Sequence, residues 1–131
     1  MKPKKTVVII TDESKETSEM AAGIAEALGD NEVSIKCVTE FKGNDLLPAD
    51  AFFLGCEKPK PESFAYLEDL LLHINLAGRP CGVFSPGDEA AAKYLAALVH
   101  DSEAALHPKP FLSPADGEIK NWSQNVISKS F

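Results

Sequence analysis

Short apolar runs alternate with longer amphipathic segments along this chain, and few protein folds accommodate that order. The runs are rich in β-branched or aromatic residues, which is typical of strands, whereas the longer segments carry apolar side chains on one helical stripe. The predicted strands are residues 6–10, 33–38, 51–55, 81–84 and a weak strand within 104–112, and the predicted helices are residues 17–28, 62–76, 88–99 and 116–128, with a connector at 41–48. Five strands that alternate with helices predict a parallel sheet with helices on both faces, a three-layer α/β/α sandwich.

Within this pattern, inner strands differ from edge strands. Residues 6–10 and 51–55 are continuous apolar runs, as expected for strands buried on both faces of a sheet. Residues 33–38 alternate in polarity, which favours a position near a sheet edge. Pro108 and Pro110 interrupt the last predicted strand, and two prolines in one strand are tolerated only at an edge.

Length and charge limit the classes of function. The chain has 131 residues, which suits one globular domain spanning residues 1–131. It carries 13 basic against 20 acidic residues, a net charge of −7, and Arg79 is its only arginine. Nucleic-acid binding needs a basic face with arginine side chains, so a nucleic-acid partner is not expected. The negative charge suits docking to a protein with a basic face.

The chain shows no segment typical of membrane insertion or export. Its apolar runs are only a few residues long, so no membrane span is expected, and residues 7–10 are too short for the core of a signal peptide. Its three cysteines are odd in number and widely spaced, which favours reduced thiols in the cytoplasm. No two of them have the spacing of a metal site, and no metal is predicted.

Ligand sites in sheets of this kind lie beyond the carboxyl ends of the strands, where the chain order switches between the first and third strands. The three turns at that edge are residues 11–17, 56–61 and 85–88. The candidate binding residues in them are Asp12, Glu13, Ser14, Lys15, Glu16, Thr17, Cys56, Glu57, Ser85, Gly87 and Asp88. No catalytic triad or nucleophile elbow accompanies them, which favours a carrier or a binding module over a catalyst.

Each of these turns also has a structural interpretation. Ser14 and Thr17 suit an anion site, but serine and threonine are also common helix N-caps. Acidic residues before a helix either bind a metal or simply complement its N-terminal charge. Residues 85–88 have the spacing of a capping box as well as the position of a ligand contact. Cys56 follows a central strand, where it is either a reactive thiol of low pKa or an inert packed residue; Cys37 and Cys81 are expected in the core.

Several segments resemble the flavodoxin family, in the same order along nearly the whole chain. Residues 17–28 resemble the first flavodoxin helix, residues 45–46 and 48–55 its acidic connector and third strand, and residues 76–84 with Gly87-Asp88 its fourth strand. Trp122 also fits the last helix. The resemblance implies a five-stranded parallel sheet of order 2-1-3-4-5 and electron transfer by one bound FMN. Its phosphate would lie in the loop before the first helix, held by hydroxyls and backbone N–H groups.

The loops of this chain depart from the family pattern. The phosphate loop of flavodoxins has the pattern Ser/Thr-x-Thr-Gly-x-Thr, and here residues 12–17 read Asp-Glu-Ser-Lys-Glu-Thr. Asp12 replaces a hydroxyl, Lys15 replaces the glycine, and each carboxylate close to a phosphate adds a repulsion of about 1 kcal/mol or more. Flavodoxins usually stack the flavin on aromatic residues, but residues 56–61 and 85–88 contain none. Two functions follow: an FMN-dependent electron carrier that docks to a basic redox partner, or a flavin-free binding or regulatory module.

A weaker resemblance is to the receiver domains of bacterial response regulators. Asp12-Glu13 would be their acidic pair, Ser85 their hydroxyl, and residues 109–111 their Lys-Pro-Phe motif. Their phosphoacceptor aspartate would end the third strand, where this chain has Gly55-Cys56-Glu57. A phosphorelay role is therefore not predicted, and a Mg²⁺ site at Asp12, Glu13 and Glu57 would be weak and mostly hydrated.

Overall fold

The computed structural model describes residues 5–112 and 119–128. In these residues the strands are β1 (Thr6–Thr11), β2 (Glu32–Cys37), β3 (Ala51–Gly55), β4 (Pro80–Phe84) and β5 (Ala105–Leu106). The helices are α1 (Lys15–Ala27), α2 (Gly43–Leu46), α3 (Ala65–His73), α4 (Glu89–Asp101) and α5 (Ile119–Ser128), with a 3₁₀ turn at Glu62–Phe64. The strands form one sheet of order β2-β1-β3-β4-β5, and the strand pairs are parallel. The predicted strand order is confirmed.

Helices pack on both faces of the sheet because the side chains of a strand point alternately to its two faces. On one face, Val7 and Ile9 pack with apolar residues of α1 and α5. On the other face, Val8 and Ile10 pack with apolar residues of α3 and α4. All of β3 is buried, as its continuous apolar sequence predicts, and β2 lies at an edge, as its alternation predicts.

The predicted connector at residues 41–48 contains the one-turn helix α2, which the sequence analysis missed. This helix is too short to be stable from its own hydrogen bonds. The guanidinium of Arg79 stabilises its C-terminal end. Its Nη1 donates to the carbonyl oxygens of Leu46 at 3.0 Å, Leu47 at 2.7 Å and Ala49 at 3.1 Å. The helix therefore depends on a residue that is distant in sequence.

The predicted helix over residues 62–76 is shorter in the structure, where it begins with the 3₁₀ turn and ends at His73. Ile74 has an extended backbone, with φ −102° and ψ 142°. Beyond it, the Asn75 side chain accepts a hydrogen bond of 2.9 Å from the Ala77 N–H. Such a local side-chain bond competes with helical hydrogen bonding, which explains why the apolar periodicity overestimated the helix.

The predicted strand at residues 104–112 is also shorter. β5 is followed by a segment that leaves the sheet, and the chain returns only at an isolated bridge between Phe111 and Phe84. Pro108 and Pro110 have no N–H to donate, so this part cannot continue a regular strand. The start predicted for the last helix, at residue 116, lies outside the described residues. No helix in the described ranges has the length and apolar character needed to cross a membrane.

Candidate functional site

The three loops predicted to carry the site meet at one edge of the sheet. Thr11, Gly55 and Phe84 are register partners at the ends of β1, β3 and β4, so the residues that follow them emerge side by side. The backbone joins the first two loops directly, because the Asp12 N–H donates to the Gly55 carbonyl oxygen at 3.2 Å. Negative charge on both Asp12 and Asp88 acts on the Cys56 thiol, so the third loop also lies close.

The Asp12 carboxylate connects these two loops. Asp12 is only 7% exposed. Its Oδ1 accepts a hydrogen bond of 3.1 Å from the Ser14 N–H, and its Oδ2 accepts one of 2.7 Å from the Glu57 N–H. A buried carboxylate is stable when backbone N–H groups satisfy its oxygens. Asp12 therefore takes the place that a bound anion would have in this loop. Asp12 was predicted in the site as a candidate binding residue and not as an acceptor of backbone hydrogen bonds, although an aspartate two residues before a helix N-cap is a recognisable turn signal.

A second carboxylate satisfies the first turn of α1. Ser14 is the N-cap, and its Oγ accepts a hydrogen bond of 3.4 Å from the Thr17 N–H, which confirms the capping interpretation for Ser14 but not for Thr17, which lies inside the helix. The same hydroxyl donates to Glu16 Oε2 at 3.0 Å. Hydrogen bonds from the Glu16 N–H and from Ser14 lower the pKa of the Glu16 carboxyl. The carboxylates of Asp12 and Glu16 therefore accept hydrogen bonds from donors of the loop itself.

Ser85 does not cap α4 as its capping-box spacing predicted. The N-cap is Asp88, whose Oδ1 accepts a hydrogen bond of 3.1 Å from the Ala91 N–H. The turn at Gly87, which has a φ of +87°, brings Asp88 rather than Ser85 to the start of the helix. The Ser85 Oγ is buried and has no hydrogen-bond partner among the described residues, and the same is true of the Thr17 Oγ1.

The two tyrosines lie on helices and not in the three loops of the candidate site. Tyr66 lies in α3, and its hydroxyl accepts a hydrogen bond of 3.0 Å from the Gly43 N–H. Tyr94 lies in α4 and donates to Glu68 Oε2 at 2.8 Å. Burial, together with this bond to Glu68, raises the pKa of the Tyr94 hydroxyl. Both hydroxyls therefore hold helices in place.

Cys56 is inert rather than activated. Its side chain is fully buried, and burial, together with the smaller effect of the charges of Asp12 and Asp88, raises its pKa to about 12. The low-pKa hypothesis is wrong, because burial disfavours the thiolate and the neighbouring carboxylates disfavour it further. Cys81 is buried in β4 as predicted, and burial raises its pKa as well. Cys37 is only half-buried, since it ends an edge strand, so its predicted core position is wrong.

We predict that one thiol reacts in the folded protein. With iodoacetamide at pH 8, Cys37 should be alkylated, whereas Cys56 and Cys81 should react only after unfolding. The thiolate is the nucleophile, and raised pKa values leave little of it at Cys56 and Cys81. Peptide mass spectrometry before and after denaturation measures the three sites. Rapid alkylation of Cys56 in the native state would contradict its burial.

A metal centre is not formed by these residues. In the parts of the chain that the structure describes, no group of three histidine, cysteine, aspartate or glutamate side chains is placed to bind a metal ion. At the Mg²⁺ site considered above, both oxygens of Asp12 already accept backbone hydrogen bonds.

The architecture identifies the fold. No protein-family model and no curated protein sequence matches the chain. Three solved structures superpose on nearly all of it. The flavodoxin of Streptococcus pneumoniae TIGR4 has a TM-score of 0.78 at 20% identity and covers 95% of this chain and 99% of its own. Oxidised flavodoxin 2 of Bacillus cereus has a TM-score of 0.76 at 23% identity and covers 96% of this chain and 99% of its own. A short-chain flavodoxin associated with a bacterial microcompartment has a TM-score of 0.81 at 15% identity and covers 97% of this chain and 99% of its own. The chain has the flavodoxin fold.

The flavodoxin fold allows a direct test of whether the loops suit FMN. A phosphate before α1 would need the backbone donors and hydroxyls of this loop. The N–H groups of Ser14 and Glu57 both donate to Asp12, and the Ser14 hydroxyl donates to Glu16. Carboxylates of the chain therefore already accept hydrogen bonds from three of the donors that the phosphate of FMN would use, which disfavours a phosphate at this loop, although the buried Thr17 hydroxyl has no partner among the described residues.

Proposed function

We propose that this chain is a flavodoxin-fold binding module that works without FMN and docks to a protein with a basic face. The observation that carries the proposal is the Asp12 carboxylate, buried and held by N–H groups from two loops. A carboxylate in that position supplies the negative charge that a phosphate would otherwise bring. Asp12 thus satisfies N–H groups of both loops without a ligand.

Displacing Asp12 in favour of a phosphate is unfavourable. Each hydrogen bond to a charged group contributes about 1.5–3 kcal/mol, and a phosphate would have to replace two of them. It would also meet the negative charges of Glu13 and Glu16. Lys15 offsets little of this repulsion, since its side chain is 86% exposed and lies 3.9 Å from Glu19.

The surface around this edge suits a basic protein. Glu13, Glu16, Glu62 and Glu89 are exposed at the loops or at the first turns of the helices that follow them. With a net charge of −7, such a surface accelerates encounter with a positively charged partner. The flavin-free module keeps this acidic edge for docking.

A second candidate, an FMN-dependent electron carrier, has one observation in its favour. The hydroxyls of Thr17 and Ser85 are buried at this edge without a partner in the described residues. Buried polar groups are normally hydrogen-bonded, so a ligand with polar atoms would satisfy them. Such a carrier would need a ligand that reaches the Thr17 and Ser85 hydroxyls although Asp12 and Glu16 accept from other donors of the same loops.

An FMN titration separates the two candidates. We expect the purified protein to cause no saturable quenching of FMN fluorescence up to about 100 μM, which corresponds to an affinity weaker than about −5.5 kcal/mol. The double substitution Asp12→Ser with Lys15→Gly should raise the FMN affinity at least about tenfold, because it removes a carboxylate and restores a hydroxyl and a glycine. Riboflavin, which lacks the phosphate, should show no such gain.

The control is a variant with the same change of residue types away from the loop, Asp30→Ser with Lys42→Gly. Both residues are exposed. This variant should bind FMN no better than the parent protein. Micromolar binding by the parent protein would support the carrier instead, and equal gains in the two variants would contradict the role given to Asp12.

A further inference from the structure

A groove opens on the opposite side of β4 from β3, where the last strand leaves the sheet. β5 ends at Leu106, and the chain rejoins β4 only through the bridge between Phe111 and Phe84. Between these points Pro108 and Pro110 cannot donate to the sheet, so the segment bulges away from Val83. The facing turns of α4 carry the small side chains of Ala92 and Ala96, which leave the space unfilled.

The groove has the size and lining of a small-molecule site. Its volume is about 510 Å³, within the range of about 300–1,000 Å³ that is usual for ligand pockets. Most of its walls are apolar. The apolar lining residues are Val83, Ala92, Ala96, Leu106, Pro108, Pro110 and Leu112.

Two lysines give this groove a charge opposite to that of the chain as a whole. Lys93 on α4 and Lys109 on the bulge both line it, against the single carboxylate of Glu89. Within residues 5–112 and 119–128, neither lysine forms an ion pair. Burial lowers the pKa of the His107 ring, which favours its neutral form. The groove is therefore a net-positive apolar site in an acidic protein.

The bulge is fixed rather than loose. The Trp122 Nε1 donates a hydrogen bond of 2.8 Å to the Lys109 carbonyl oxygen. The Trp122 ring also packs on His107 and Phe111, at centroid distances of 6.2 and 5.4 Å. These contacts come from α5 and fix residues 107–111. The side of this segment that faces α4 stays open. A pre-formed pocket loses less conformational entropy when a ligand binds.

We propose that the groove between α4 and residues 106–112 binds an amphipathic monocarboxylate, with its hydrocarbon part against the alanines and prolines and its carboxylate between Lys93 and Lys109. The apolar walls favour burial of a hydrocarbon, and the two ammonium groups select a negative head group. The groove borders the acidic edge at Glu89 but does not include the loops at the ends of β1 and β3, and it does not depend on the function proposed for them.

Octanoate is a suitable probe, and Trp122 is a suitable reporter because it is the only tryptophan in the chain. We expect octanoate to change the Trp122 fluorescence saturably, with half-saturation below about 1 mM, a modest affinity of about −4 kcal/mol. Octylammonium and octan-1-ol, which carry the same chain without a carboxylate, should bind at least about tenfold more weakly. Backbone amide shifts in ¹⁵N NMR spectra should locate the site on α4 and residues 106–112.

Variants test the charges and the volume separately. Lys93→Gln with Lys109→Gln should weaken octanoate binding about tenfold, whereas Lys58→Gln with Lys60→Gln, which removes the same charge from an exposed loop, should change it less than about twofold. Ala96→Phe should abolish binding by filling the groove, and its melting curve checks that the protein is folded. No saturable binding by the parent protein, equal binding of octylammonium, or unchanged binding in the Ala96→Phe protein would each overturn the proposal.

Discussion

Replacing Gly55 by alanine is expected to lower the free energy of unfolding by about 3 kcal/mol, as severe overpacking of a core does. A Cβ at this position would lie 2.3 Å from Cε2 and Cζ of Phe84 and 2.8 Å from its Cδ2. The Phe84 ring is fully buried, so it has no free space into which to move. Urea unfolding of the parent and variant proteins, followed by circular dichroism, measures the difference.

A second glycine provides the control. Gly23 lies in α1, and a Cβ there would meet only the Cδ1 tip of Ile119, at 3.2 Å. Since alanine favours a helix by about 1 kcal/mol over glycine, Gly23→Ala should leave the stability unchanged or raise it. Phe84→Leu should also cost less in the Gly55→Ala protein than in the parent, because it makes room for the added methyl group. Additive effects of the two substitutions would show that Gly55 and Phe84 do not compete for space.

Replacing Asp12 by alanine is expected to lower the free energy of unfolding by about 3 kcal/mol. The substitution leaves the N–H groups of Ser14 and Glu57 without their acceptor, and each buried unsatisfied group costs about 1–3 kcal/mol. Asp12→Asn should lose less, because its amide oxygen still accepts one of the two hydrogen bonds. The same urea titrations, at pH 7 and constant salt, give both values.

Asp50→Ala is the matched control for Asp12. Asp50 is an exposed aspartate whose Oδ2 accepts one hydrogen bond, of 2.9 Å, from the Thr6 N–H. Water replaces an exposed acceptor at low cost, so this substitution should lower the stability by only about 0.5–1 kcal/mol. Equal losses for Asp12→Ala and Asp50→Ala would mean that Asp12 is an ordinary surface carboxylate, and the case against FMN would lose its main support.

The fold was predictable from the sequence because its signals are local and repeated. The apolar run of β3 predicted a fully buried strand, the alternation of β2 predicted an edge, and the order of strands and helices predicted the parallel sheet. The edge of the sheet that carries the loops followed from the same order. The Ser14 cap was also readable, because it depends on residues within one helical turn.

The remaining features depend on contacts between distant residues. Nothing local to Asp12 reveals that the Glu57 N–H will reach its second oxygen, since that bond joins two loops. The high pKa of Cys56 likewise comes from burial and from two carboxylates that the fold brings near it. The groove beside α4 was missed because the prolines of the last segment were interpreted only as a sign of an edge strand. The groove that these prolines leave beside Val83 can be predicted only when the position of α4 is known.

The Arg79 side chain also has a consequence for the order of folding. Arg79 lies just before β4, yet it donates to the carbonyl groups at the end of α2, which are 32 and 33 residues earlier in the chain. A single turn of helix does not persist alone in water, so α2 needs the contacts of Tyr66 and Arg79, both of which follow it in the chain. We therefore place α2 among the later elements to become ordered, although it is translated before three of the five strands.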